Sequence, residues 1–150
     1  MKQFTLNMNN RYQRPIIELK SWHNLEALLD TGAIFPVWIM DEDILKILGG
    51  KCIRKEVPFG GFGGETKGNL YELQSMVIGD LIFLNTHIIA CKDLKNVPFQ
   101  LVLSATMFNG LIYEIDSKNY KLNITIPDDE STVRNLKIKD SDGKLHILSQ

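Results

Sequence analysis

Ala27-Leu28-Leu29-Asp30-Thr31-Gly32-Ala33 is the stretch that decides how this chain is read. Small and apolar residues run up to an acid, then a hydroxyl, then a glycine. Leu28 and Leu29 anchor a strand, so Asp30 emerges from a rigid element at the edge of a core. Gly32 allows a tight turn and the close approach of another backbone. Thr31 offers a hydroxyl that can fasten the turn to a neighbouring copy. Asp and Gly are common in turns, so the bare tripeptide Asp30-Thr31-Gly32 is more often an ordinary β-turn. Its surroundings must decide.

Upstream, Pro15 opens an extended run, Ile16 to Lys20, and a polar turn at Ser21 to Asn24 leads into Leu25 to Leu29. Downstream, Ala33 to Met40 contains Pro36 and reads as an irregular or edge strand. Asp41 to Gly50 predicts a helix of two or three turns. Asp41 or Asp43 caps it, Ile44, Leu45, Ile47 and Leu48 form its apolar face, and Gly49 stops it. Phe59-Gly60-Gly61-Phe62-Gly63-Gly64 lies between two plausible strands, Cys52 to Val57 and Tyr71 to Val77, and reads as a mobile hairpin. Strand-like runs continue at Leu81 to Leu84, Thr86 to Cys91, Phe99 to Leu103 and Tyr120 to Ile126. Ser104 is placed to cap a second short helix, Ala105 to Leu111. After Pro127 and the acidic Asp128-Asp129-Glu130, two alternating runs flank Asp140-Ser141-Asp142-Gly143, a hairpin signal. These runs predict an all-β domain with two short helices and a C-terminal hairpin.

With 150 residues, 44% hydrophobic and 23% charged, the chain is sized for one globular domain. A net charge of -1 without a long basic run argues against nucleic acid as the main partner. No apolar run approaches the roughly 20 residues that a bilayer crossing needs, so no membrane partner is expected. Met1 to Arg14 is polar and lacks a signal-peptide core, which makes a cytoplasmic location the expectation. Cys52 and Cys91 have no metal-like companions and read as free thiols. His23, His87 and His146 show no ligand spacing, so no metal or cofactor is expected. Trp22 and Trp38 read as packing residues, with Trp38 close enough to the Asp30 turn to line a pocket.

Three ordered motifs carry a resemblance to retroviral-type aspartic proteases, the retropepsin-like family, and to a non-viral, bacterial-type member of it. The first is Pro15, the polar turn and Ala27-Leu28-Leu29-Asp30-Thr31-Gly32-Ala33. The second, Phe59 to Gly64, resembles that family's glycine-rich flap tip. The third, Val97-Pro98-Phe99-Gln100-Leu101-Val102, resembles its substrate-pocket loop and following strand. The likeness spans about Pro15 to Ile126. It implies a closed, barrel-like β domain with a flap hairpin, working as a homodimer. The expected division is residues 1–127 as the protease domain and 128–150 as a C-terminal hairpin extension of it.

The resemblance also implies function: an aspartic endopeptidase acting on peptide or protein substrates. Asp30, Thr31 and Gly32 are then the catalytic residues. Leu28, Ala33, Ile34, Phe35, Gly60, Gly61, Phe62, Gly63, Pro98, Phe99 and Leu101 are then the substrate-binding ones. Peptide hydrolysis of this kind needs two carboxylates sharing one proton. The chain holds one Asp-Thr-Gly and no Asp-Ser-Gly, so the second acid is expected from another copy across a two-fold axis. Ile34 and Phe35 depart from the family, which usually carries acidic residues there. Leu103-Ser104-Ala105 stands where Gly and polar residues are usual, and Leu103 is expected to crowd the loop beneath the Asp30 turn. Two other readings stay open. One is a non-catalytic dimer of the same fold that binds peptides or protein tails. The other is an assembly protein whose tail, Leu136 to Leu148, adds a strand to another chain.

Overall fold

The computed structural model describes residues 1–9, 11, 14–61, 64–91, 97–141 and 144–148. In chain order the elements are β1 (Lys2–Asn9), β2 (Ile16–Leu19), β3 (Leu25–Asp30), β4 (Val37–Trp38), α1 (Glu42–Ile47), β5 (Gly50–Gly61), β6 (Gly64–Ile78) and β7 (Leu81–Ala90). They continue with β8 (Leu101–Ser104), a 3-10 turn (Ala105–Phe108), β9 (Ile112–Asp116), β10 (Lys121–Ile126), β11 (Val133–Arg134), β12 (Lys137–Ser141) and β13 (Lys144–Leu148). Apolar residues at every second position explain most of the strands, because successive side chains point to opposite faces. In β10, for example, Leu122, Ile124 and Ile126 are buried while Lys121, Asn123 and Thr125 are half-buried. β1 obeys the same rule through Leu6 and Met8, although the polar composition of this segment gave no expectation of a strand.

Eleven strands join one sheet in the order β5-β6-β7-β4-β8-β3-β2-β1-β10-β9, with β11 beside β7. The expected closed barrel is not formed among the described residues, since β5 and β9 end the path without pairing with each other. Both edges resist closure. β5 is interrupted by register shifts between Cys52 and Arg54 and between Arg54 and Val57, and it exposes Lys51, Arg54, Lys55 and Glu56. β9 is mostly exposed and carries Glu114 and Asp116. Bulges and edge charges of this kind turn a strand away from further pairing. Ala33 to Met40, expected as an irregular or edge strand, is irregular apart from the two-residue β4, which lies inside the sheet, parallel to β7 and antiparallel to β8.

The first helix is shorter than its pattern suggested. Asp41 caps it by accepting the Asp43 backbone N–H at 2.8 Å, and Gly49 leaves it at φ 102. The second expected helix is only the 3-10 turn. Ser104 makes no capping bond to it, and Gly110 at φ 83 redirects the chain into β9. The two runs from Leu81 to Cys91 form a single strand, β7, that passes through Asn85 in a left-handed conformation. Cys52 and Cys91 are both free.

Most buried apolar side chains form one core that includes Trp38, Tyr71, Phe83, Phe108, Leu29, Leu101 and Leu103. A smaller cluster lies apart from it: Ile16, Phe99 and Val102, with Leu28, Ala33, Val37, Ile39 and Val97 packed against them. Trp38 is fully buried in the main core and gives its indole N–H to the Asp41 carbonyl at 3.1 Å, so it lines no open pocket.

Beyond Pro127 the chain returns to the main core through Leu136 and Ile138. A buried histidine holds it there. The Ile138 backbone N–H donates to His87 Nδ1 at 2.8 Å, which leaves the ring proton on Nε2, 3.3 Å from Glu72 Oε2. Lys137 Nζ donates to the same carboxylate oxygen at 3.2 Å. Burial holds the His87 pKa below its ordinary 6.5, against the opposing pull of Glu72. For Glu72 burial works the other way, but the Lys137 bond and charge outweigh it and keep the carboxyl below its usual range.

Both shifts have one sign. An undocked His87 takes up a proton near pH 6.5 while the docked ring resists it, so the docked form loses stability as pH falls from that value. Glu72 adds to the loss only at more acid pH, on passing through its lowered pKa. Amide exchange at residues 136–138, corrected for intrinsic rate, is expected to rise roughly fivefold between pH 7 and 5.5, about the worth of one hydrogen bond. His87→Gln should flatten that dependence. A wild-type profile already flat over this range contradicts the account.

Candidate active site

β3 alternates its burial, and the alternation aims Asp30. Ala27 and Leu29 enter the main core, so Leu28 and Asp30 point to the other face of the strand. β3 is held from both sides. It runs antiparallel to β2, with Ile16 opposite Leu28, and parallel to β8, with Leu28 beside Val102 and Asp30 beside Ser104. The Leu29 N–H also donates to the Pro15 carbonyl at 3.1 Å. Gln100 closes the start of the strand, giving its N–H to the Glu26 carbonyl at 2.9 Å and accepting the Glu26 N–H at 2.6 Å. Asp30 is therefore the last residue of a strand buttressed along its whole length. It is half-buried.

The turn after it is tight. Ala33 donates its N–H to the Asp30 carbonyl at 3.1 Å, and Gly32 donates its N–H to Asp30 Oδ1 at 3.0 Å. Thr31 and Gly32 are exposed. Gly32 has no left-handed backbone, and a Cβ built on it would meet only Asp30 Oδ1, at 3.4 Å. Nothing within the described chain requires a glycine at that position. No hydrogen bond or ion pair joins Asp30 to another carboxyl group among the described residues.

The structure brings Leu28, Ala33 and Phe99 together in the small apolar cluster, on the face that Leu28 shares with Asp30. Ile34 is 58% exposed just beyond the turn, and Pro98 is half-buried. Phe35 and Leu101 go elsewhere. Both are buried in the main core, where packing accounts for them, and the structure does not bring them to that face. Leu101 follows from the register: it sits beside Ala27, whose side chain faces the core. Leu103 likewise sits beside Leu29 in the core and does not crowd the Asp30 turn. Gly60 and Gly61 end β5, paired with Glu65 and Gly64, so the long hairpin is present. Phe62 and Gly63, at its tip, lie outside the described residues, as do Asp142 and Gly143 of the C-terminal turn.

Ile16, Ile39, Val97 and Val102 also pack on this face, and of these the sequence singled out only Val97 and Val102, in the pocket-loop motif. Thr106 reaches the turn from the 3-10 segment, donating its hydroxyl to the Ile34 carbonyl at 2.6 Å across 72 positions of sequence. The assembly presents one carboxylate on a rigid support beside an apolar surface. Among the described residues it supplies no second acid and no cluster of metal-ligating side chains. No helix among them is long and apolar enough to cross a membrane.

No protein-family model matches this chain, and no curated protein matches it. Among solved structures it is similar to the crystal structure of a retropepsin-like aspartic protease from Rickettsia conorii. The two share 22% identity and superpose with a TM-score of 0.53, over 83% of this chain and 91% of that one. At that identity the likeness shows a fold of the retropepsin-like kind and leaves the chemistry to be argued from the site.

Proposed function

We propose that the chain is an aspartic endopeptidase that works as a homodimer, with Asp30 of each copy forming one active site. The observation that carries this reading is the placement of Asp30 at the end of β3, with Gly32 exposed beside it and no internal reason for a glycine. Close approach of a second backbone supplies that reason. A two-fold axis sets a residue against its own counterpart, so the approach that uses Gly32 also brings the two carboxylates together.

Two carboxylates about 3 Å apart cannot both ionise cheaply, so they hold one proton between them and titrate as a pair. The ionised member takes a proton from a water molecule as that water attacks the scissile carbonyl carbon. The protonated member gives its proton to the carbonyl oxygen. Leu28, Ala33 and Phe99 line the bound peptide, with Ile34 and Pro98 at the margin. The β5–β6 hairpin closes over the peptide as a flap, excluding water and completing the grip. Residues 1–127 form the catalytic unit in this reading, and 128–150 extend it.

The test is a digest. The purified chain, incubated with a proteome-derived peptide library, should yield new termini clustered around a shared side-chain pattern, readable by mass spectrometry. An intact library at micromolar enzyme across pH 4 to 7.5 would reject the endopeptidase. If peptides then bound without being cut, the non-catalytic dimer would take its place; Leu103-Ser104-Ala105, where the family usually has Gly and polar residues, is the feature that favours it.

A further inference from the structure

Within the Asp30 turn the Gly32 and Ala33 N–H groups bond back to Asp30, and Ala33 packs against the small apolar cluster. The exit of the turn at Ile34 is exposed, and a pair of hydroxyls ties it down. Thr106 Oγ1 lies 2.6 Å from the Ile34 carbonyl oxygen, and its single proton is spent on that bond. Ser104 Oγ lies 2.7 Å from Thr106 Oγ1, so in this contact Ser104 is the donor and Thr106 the acceptor. Ser104 is fully buried and sits directly beside Asp30 in the parallel β3–β8 ladder. The loop thus closes on itself: from Asp30 across the ladder to Ser104, through Thr106 to Ile34, and back along the turn. Hydrogen bonds in series polarise and strengthen each other, and a buried serine anchors this chain at its inner end.

We propose that Ser104 and Thr106 are positioning residues for Asp30, a two-hydroxyl relay that fixes the carboxylate by holding the far end of its turn. The proposal rests on the catalytic reading of Asp30. It explains how serine is accommodated at Ser104: the hydroxyl is satisfied by Thr106 and its proton points along the relay. It also assigns a task to Thr106, which otherwise is a half-exposed residue of a short 3-10 turn.

Thr106→Val keeps the shape and removes the relay, whereas Thr106→Ser keeps the hydroxyl. In Thr106→Val, amide exchange at residues 31–35 should accelerate roughly tenfold, as expected for one lost hydrogen bond. Exchange in β10 should stay unchanged. kcat should fall about 10- to 100-fold with KM altered less than about threefold, the pattern of a misplaced reacting group. Thr106→Ser should recover most of both. Ser104→Ala, which leaves the Ile34 bond unanchored, should fall between. Equal loss in Thr106→Val and Thr106→Ser overturns the relay, and so does unchanged exchange at residues 31–35 in Thr106→Val while the wild type is active. If the wild type cleaves nothing, the catalytic reading itself has failed, whatever the exchange rates.

Discussion

Asp30→Asn is expected to lower kcat/KM for peptide hydrolysis by on the order of 10⁴-fold, the upper range for loss of a positioned acid and base. The amide can neither take the proton of the attacking water nor return one to the carbonyl. Its oxygen can still accept the Gly32 N–H that Asp30 Oδ1 accepts at 3.0 Å, so the turn should survive. Substrate binding should change little, and a peptide-like inhibitor should still shield the β5–β6 hairpin from exchange. Sedimentation of the variant should match the wild type, because the substitution removes charge from the centre of the proposed interface and adds no bulk. Turnover retained within tenfold of wild type would mean that another group does the chemistry. Loss of turnover together with loss of assembly would not support the dyad, because it would trace to the interface instead.

The second large effect concerns concentration. With one acid per chain, a lone protomer has no dyad, so activity should follow the dimer population rather than the total protein. Well below the dissociation constant, each tenfold dilution should cut specific activity about tenfold, while at high concentration specific activity should level off. Mixing provides an independent check. Excess Asp30→Asn chains should draw wild-type chains into mixed dimers that hold a single usable acid, and wild-type activity should decline as they are added. Specific activity that stays constant into the range where sedimentation finds only monomer would rule out the shared site. So would indifference to the inactive partner.

Several features of this molecule were local and could be read directly. The alternation in β10, the capping of α1 by Asp41, the turn at Gly49 and the strand ending in Asp30 each depend on neighbours within a few positions. β1 carries the same kind of signal, with Leu6 and Met8 alternating with polar residues inside a segment whose overall composition is polar. The second helix misled for a local reason too: its residues suit a helix, but Gly110 and the start of β9 leave it only a 3-10 turn.

By itself, then, the sequence determined a β-rich chain with one acid presented at the end of a strand and a glycine hairpin further along. Only the tertiary structure decided which strands meet, and that decided everything else about the site. The parallel pairing of β3 with β8 sets Ser104 beside Asp30 and turns Leu101 and Leu103 into the core. The sheet stays open because its outer strands carry bulges and charge, a property of edges that exists only once the strand order is known. Thr106 meets Ile34 across 72 residues. The reason is physical: side-chain period and turn chemistry act over a few residues, whereas register between distant strands is set by how all their faces bury at once.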